Sequence, residues 1–338
     1  MRARRIIALW TISLTIGSMP AATLGTSQAA GKIAQEAAGK ISGKTIDRPL
    51  DQAAGKSPVQ AIDDAGNTVT LPAPAQRIVS IAPHLTELLF AAGAGERVVG
   101  AVAYSDYPDA ARTIPRIGDA TQLDLERIVS LHPDLIVVWR NGNSPQQIKR
   151  LASLGIAIYA SESTQFAGIS STLRRLGRLA GTQVVADAHA DAFDRAVVDL
   201  RARYAGRRPL RVFYQIWHRP LLTINGRHLI DEALHVCGAQ NVFAALDPLT
   251  PNVSVEAVVA ADPDAIVTGS VADGGGDSGA DNLDQWRQLS TLRATRAGNL
   301  IVVNPNTLHR QSERIIDGVR ELCDKLDAAR VRLGLGER

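Results

Sequence analysis

The sequence is poor in long apolar runs. The longest near its start, over residues 6–16, falls well short of the roughly twenty residues that a spanning helix needs, so no membrane span is expected and the folded chain should be soluble. Cysteine is almost absent. Cys237 and Cys323 lack the C-x-x-C spacing of a thiolate metal centre. Aromatics make up only 4% of residues, so the position of each Trp and Tyr carries information. Several catalytic signatures are missing: Gly-x-Ser-x-Gly, His-Glu-x-x-His, the Walker A loop and the Rossmann glycine fingerprint. No catalytic residue is therefore assigned. No basic stripe with interleaved aromatics is present, which argues against nucleic acid as a partner. His84, His218, His228 and Glu87 have no short ligand spacing, so no metal site is expected. An exported metal-dependent enzyme is left as a remote alternative.

What is present begins with Arg2, Arg4 and Arg5, followed by the short apolar run and by small residues through Ser27-Gln28-Ala29. This is the pattern of a secretory signal peptide over residues 1–29. Those residues hold three Arg and no acid, so cleavage after Ala29 takes the formal net charge from +3 to zero. Residues 30–58 repeat Ala-Ala-Gly-Lys at 29–32, 37–40 and 53–56 and contain few large apolar residues. Such a segment cannot offset its ordering entropy, and a disordered leader is expected. In an oxidising compartment the two cysteines would form one disulfide; two buried thiols are the other possibility.

From about residue 59 the pattern changes. Asp64-Ala65-Gly66-Asn67 reads as a hairpin turn before a strand at 68–71. Strands are expected at 78–81, 97–102, 135–139 and 156–159, with helices at 86–92, 125–131 and 144–154 between them. The alternation predicts an α/β lobe with a largely parallel sheet over residues 59–181. Residues 182–205 lack Gly and Pro until the end. Val185, Ala188, Ala192, Ala196 and Leu200 recur at helical spacing, predicting one long linking helix of about 30 Å. A second α/β lobe is expected over 206–338, with strands at 212–216, 265–268 and 300–303 and helices from about 229 and over 313–333. The glycines at 274–276 read as a flexible loop.

The two halves echo one another. Asp124-Leu125-Glu126, Ile128-Val129, Pro133-Asp134 and Ile136-Val137 are matched offset for offset. The counterparts are Ser254-Val255-Glu256, Val258-Val259, Pro263-Asp264 and Ile266-Val267. Each copy reads as an N-cap, an acid in the first helical turn, a break and a buried strand. The acids suit the helix dipole; as a pair, one per lobe, they also suit docking on one cationic partner.

A run of local motifs is more specific. These are Arg77-Ile78-Val79-Ser80-Ile81-Ala82-Pro83-His84 with Thr86-Glu87-Leu88, then Tyr104-Ser105-Asp106-Tyr107-Pro108, and Trp139-Arg140-Asn141-Gly142-Asn143. With them, the chain from about residue 60 to its end resembles the periplasmic cobalamin-binding proteins of vitamin B12 ABC importers. The resemblance implies two Rossmann-like α/β lobes joined by a single rigid helix, with ligand held in the cleft between them. It implies that Tyr104 and Trp139 face the corrin ring, with Pro83 and His84 at the same rim. Asn306 and Arg310 would reach the ligand from the second lobe. Glu126 and Glu256 would engage permease arginines, and Cys237 would pair with Cys323. It also implies a monomer in the periplasm, with cobalamin or a related corrinoid as cargo, no resident cofactor, and the permease of an ABC importer as partner.

The sequence departs from that pattern. Ala120 and Thr250 stand where the family places tryptophans, Asn306 replaces an acid, and Trp217, one place beyond a family aromatic at Ile216, would restore ring surface against the ligand. A corrinoid is a flat disc with an apolar edge and an amide fringe, which aromatic faces and a few donors would suit. Core roles for Tyr104 and Trp139, and a capping role for His84, are open at this point. The alternative cargo, from the same superfamily, is haem or a ferric siderophore.

Overall fold

The computed structural model describes residues 57–119, 122–269 and 283–336. The signal segment, all but the end of the leader, Ala120 and the glycines at 274–276 lie outside the described residues. The first strands, β1 (Val59–Ile62) and β2 (Thr68–Leu71), form the expected hairpin. Gly66 takes φ +85° in its turn, and the Asp63 carboxylate accepts the backbone N–H of Ala65 and of Asn67.

The first sheet is built from β3 (Ile78–Ser80), β4 (Val98–Ala101), β5 (Leu135–Trp139) and β6 (Ala157–Ser161). Helices α1 (Pro83–Ala91), α2 (Leu125–Ser130) and α3 (Pro145–Ala152) connect them, and α4 (Phe166–Ala180) follows. Next comes α5 (Gln183–Arg203). The second sheet contains β7 (Leu210–Gln215), β10 (Ala239–Asn241), β11 (Ala265–Gly269) and β12 (Leu300–Val303). A small hairpin of β8 (Trp217–His218) and β9 (Leu221–Leu222) follows β7. Helices α6 (Leu229–Val236), α7 (Val255–Ala261), α8 (Asp284–Arg287), α9 (Arg293–Arg296), α10 (Pro305–Leu308) and α11 (Ile315–Arg332) complete the described elements.

Both sheets are parallel. Their orders, β4-β3-β5-β6 and β10-β7-β11-β12, place the first strand of each half between its second and third. The sequence echo thus extends to topology, and to detail. The Asp134 carboxylate accepts the N–H of Gln76 and of Arg77 just before β3, while Asp134 N–H donates to the Arg77 carbonyl. In the second half Asp264 does the same with Arg211 in β7. In both copies the Pro-Asp break ties the start of one strand to the start of its neighbour.

Side-chain alternation along these strands builds three layers of core. Val79, Ile136 and Val138 pack with Ile128 of α2 and Leu151 of α3. Phe213 and Ile266 pack with Val258 of α7 and Trp286 of α8. The opposite faces of both sheets, with Ile78, Leu135, Val212, Tyr214 and Val267, belong to one continuous cluster that also holds α1, α4, α5, α6 and α11.

Helix α5 corrects one expectation. Its buried stripe is Ala186, Ala190, Phe193, Val197 and Leu200; Val185, Ala188 and Ala192 are exposed. Alanines at alternate positions offer two small-residue stripes, and the larger Phe193 and Val197 select the one that packs. That face lies on α4, which has no counterpart among the sequence expectations. Gly177 of α4 allows the approach, because a methyl group there would lie 2.2 Å from the Ala186 Cβ. Phe166 meets Phe193 edge-on at 6.4 Å.

Cys237, at the C-cap of α6, is bonded to Cys323 in α11, which decides between disulfide and buried thiols. Closing a loop of 86 residues is worth roughly 4–5 kcal/mol in the chain-entropy model.

Candidate functional site

In parallel sheets the carboxyl ends of the strands are where loops are free to bind ligand. Pro83 and His84 follow β3, Tyr104 follows β4, Trp139 ends β5, Trp217 follows β7, and Asn306 and Arg310 follow β12. All seven residues expected to contact ligand therefore sit at carboxyl ends. They form two contacting groups, with Trp217 apart.

The first group is built on α1. Pro83 sits in its first turn, where a missing N–H costs nothing. His84 is buried, and its ring meets the Trp139 indole edge-on at 5.2 Å. Burial, and then the nearby Arg310 charge, push the His84 pKa down to about 3, so the imidazole is neutral near pH 7. The Trp139 backbone N–H donates to the Asn143 side chain, whose amide donates to the Ile81 carbonyl. This closes the Trp139–Asn143 loop under the indole.

The second group gathers at Arg310. Tyr104 is 78% exposed and holds φ 63°, in the left-handed region that a tyrosine seldom occupies. Its neighbour Ser105 is buried, bonded through Oγ to Thr86 of α1 and through its carbonyl to Arg116. The carbonyl of Tyr104, the side chain of Asn306 and the carboxylate of Asp106 all accept from the Arg310 guanidinium. Its closest partner is Glu87 of α1, at 2.6 Å.

Trp217 is exposed, donates its indole N–H to the Arg219 carbonyl and lies against the His218 ring. Ile216 is half-buried against the core. Thr250 is exposed, in the loop whose Pro251 carbonyl accepts the Thr223 N–H beside β9.

Sequence reasoning missed what joins the halves. Glu87, considered there only as a metal ligand, is 4% exposed and takes Arg310, Arg314 and the Ser312 hydroxyl. Gln311 accepts the Ser163 N–H and donates to Glu162, whose carboxyl burial pushes up. The polar run at 310–314 was the available signal. It precedes α11, which begins at Ile315 and not at 313. A cavity of about 450 Å³ lies beside the junction, lined in part by Glu87, Tyr107, His189 and Arg314. Among the described residues no three His, Cys, Asp or Glu side chains converge as a metal site would require.

Glu126 and Glu256 are exposed in the first turns of α2 and α7. Asp124 and Ser254 cap those helices by accepting the N–H of Arg127 and of Ala257. A backbone N–H and the Ser254 hydroxyl hold the Glu256 carboxyl below the usual range.

Residues 78–307 match the family model described as periplasmic binding protein. The chain belongs to the periplasmic binding protein family. Among curated relatives, the vitamin B12-binding protein of Vibrio cholerae serotype O1 is 34% identical over 259 residues, covering 76% of this chain and 91% of the relative. Among solved structures, the periplasmic vitamin B12 binding protein of Vibrio cholerae aligns with a TM-score of 0.68 and 33% identity. That alignment covers 76% of this periplasmic binding protein and 98% of the other chain. A periplasmic heme binding protein from Pseudomonas aeruginosa aligns with a TM-score of 0.64 at 27% identity, over 74% of this chain and 91% of that one.

Proposed function

We propose that this protein captures cobalamin, or a closely related corrinoid, in the periplasm and delivers it to the permease of an ABC importer. The observation that carries the reading is the match to vitamin B12-binding relatives, at 33–34% identity, across nine-tenths or more of their length. The strand-end constellation agrees with it. Trp139 offers an aromatic surface braced by a neutral His84, Tyr104 offers an exposed ring on a constrained backbone, and Arg310 and Asn306 offer donors for amides or a phosphate. Pro83 completes the same rim and Trp217 supplies a ring from the second half.

In this reading residues 59–181 and 206–338 act as two lobes linked by residues 182–205. Ligand lies between them and is carried, not transformed. The protein acts as an exported monomer, with Glu126 and Glu256 presenting one carboxylate per lobe to cationic sockets of the permease. Haem is the second reading, favoured by the likeness to the Pseudomonas aeruginosa haem binder.

Competition distinguishes the two. The purified protein is mixed with cyanocobalamin and haemin together and freed of unbound ligand. The corrinoid absorption band should be retained. Retention of a Soret band alone would transfer the reading to haem.

A further inference from the structure

Each of residues 310–314 reaches an earlier part of the chain. Arg310 bonds Glu87, Gln311 bonds Ser163 and Glu162, and Ser312 bonds Glu87. Glu313 pairs with His189 of α5 at 3.0 Å. Arg314 bonds Glu87 at 3.2 Å, and its guanidinium stacks 4.1 Å over the Tyr107 ring. This segment is a clasp between the halves, and Glu87 is its anchor.

A carboxylate has about four acceptor sites, and Glu87 uses both oxygens. Oε1 takes the two guanidiniums and Oε2 takes the serine hydroxyl. The acid is buried and the arginines are partly so, with side-chain exposures of 3% for Glu87, 13% for Arg310 and 24% for Arg314. Such charge-assisted bonds are strong and geometrically demanding. Helix α1 beneath it is fixed by Leu85, Leu88 and Leu89, all fully buried. His84 and Glu87 stand three residues apart on that helix, on neighbouring turns. One braces Trp139; the other holds Arg310.

We propose that Glu87 is a positioning residue. It fixes the guanidinium of Arg310 relative to the Trp139 face, and with Arg314 and Ser312 it sets the separation of the two halves before ligand arrives. This rests on the reading of Arg310 and Trp139 as ligand contacts. Preorganisation of this kind raises affinity by removing the need to order the site on binding.

The test uses the full mature protein carrying Glu87→Gln, with Ser312→Ala as a milder variant that leaves no buried charge unpaired. Backbone hydrogen exchange across 310–318 is measured without ligand, and cyanocobalamin affinity by titration. Faster exchange in that segment for both variants is expected. So is an affinity loss of about tenfold for Glu87→Gln, and a non-additive loss when it is combined with Arg310→Gln. Unchanged exchange in both variants would overturn the clasp. Faster exchange with unchanged affinity, or strictly additive losses, would overturn the positioning role. Failure of the unmodified protein to bind cyanocobalamin would instead defeat the cargo reading, and the exchange data would still judge the clasp.

Discussion

A methyl group on Gly142 would lie 1.8 Å from a ring carbon of Trp139. The glycine therefore admits the indole, and the loop bonds through Asn143 keep it there. Gly142→Ala should displace the ring and lower corrinoid affinity nearly as much as Trp139→Ala, by about tenfold or more if the ring carries about 1.5 kcal/mol. Parallel titrations of the two variants check this; full affinity in Gly142→Ala would remove Trp139 from the contact surface. The buried histidines give a second residue-scale prediction. His84 is held near 3, and burial holds His228 and His309 near 4, against an unfolded value of 6.5. A depressed histidine stabilises the fold fully above its unfolded pKa, and that contribution is lost as pH falls from 6.5 toward the folded value. Urea unfolding should thus give lower stability at pH 5 than at pH 7.5. Replacing His309, whose ring bonds the Tyr214 hydroxyl, with Gln should flatten that slope.

Among elements, the α4–α5 contact depends on small residues. Gly177→Leu should force the helices apart and cost about 1–3 kcal/mol, read as a lower urea midpoint at an unchanged slope. The same contact explains what the sequence made legible. The hairpin at Gly66, strands 135–139 and 300–303 and the paired Pro-Asp breaks were readable, because turn residues and short apolar runs are local signals. The buried stripe of α5 was not, because alanines at 186, 188, 190, 192 and 196 satisfy two periodicities, and only the partner helix chooses between them. Glu87 was given no role for a related reason. Its partners lie more than two hundred residues away, and a lone acid in a helix gives no hint of them. The residues gathered at the strand ends were named as ligand candidates through family resemblance; the clasp that joins the halves was legible only in three dimensions.

At the scale of the described molecule, one of the three core clusters runs through both sheets and α5, and the clasp closes a second connection beside it. This favours small adjustments of the lobes over wide closure. Glu126 and Glu256 then keep a set spacing, which the proposed docking on one partner would use. Reversing both, with Glu126→Lys and Glu256→Lys, should preserve corrinoid affinity in solution and abolish uptake by cells that depend on this protein. Loss of soluble binding in that double variant would contradict a pure docking role. The central claim is the cargo, and calorimetric titration of the mature protein with cyanocobalamin, with Trp fluorescence followed in parallel, tests it most directly. The account predicts one-to-one binding with a Kd of about 1 μM or tighter and a change in Trp emission; absence of heat and of any fluorescence change at ligand concentrations of about 100 μM would contradict it.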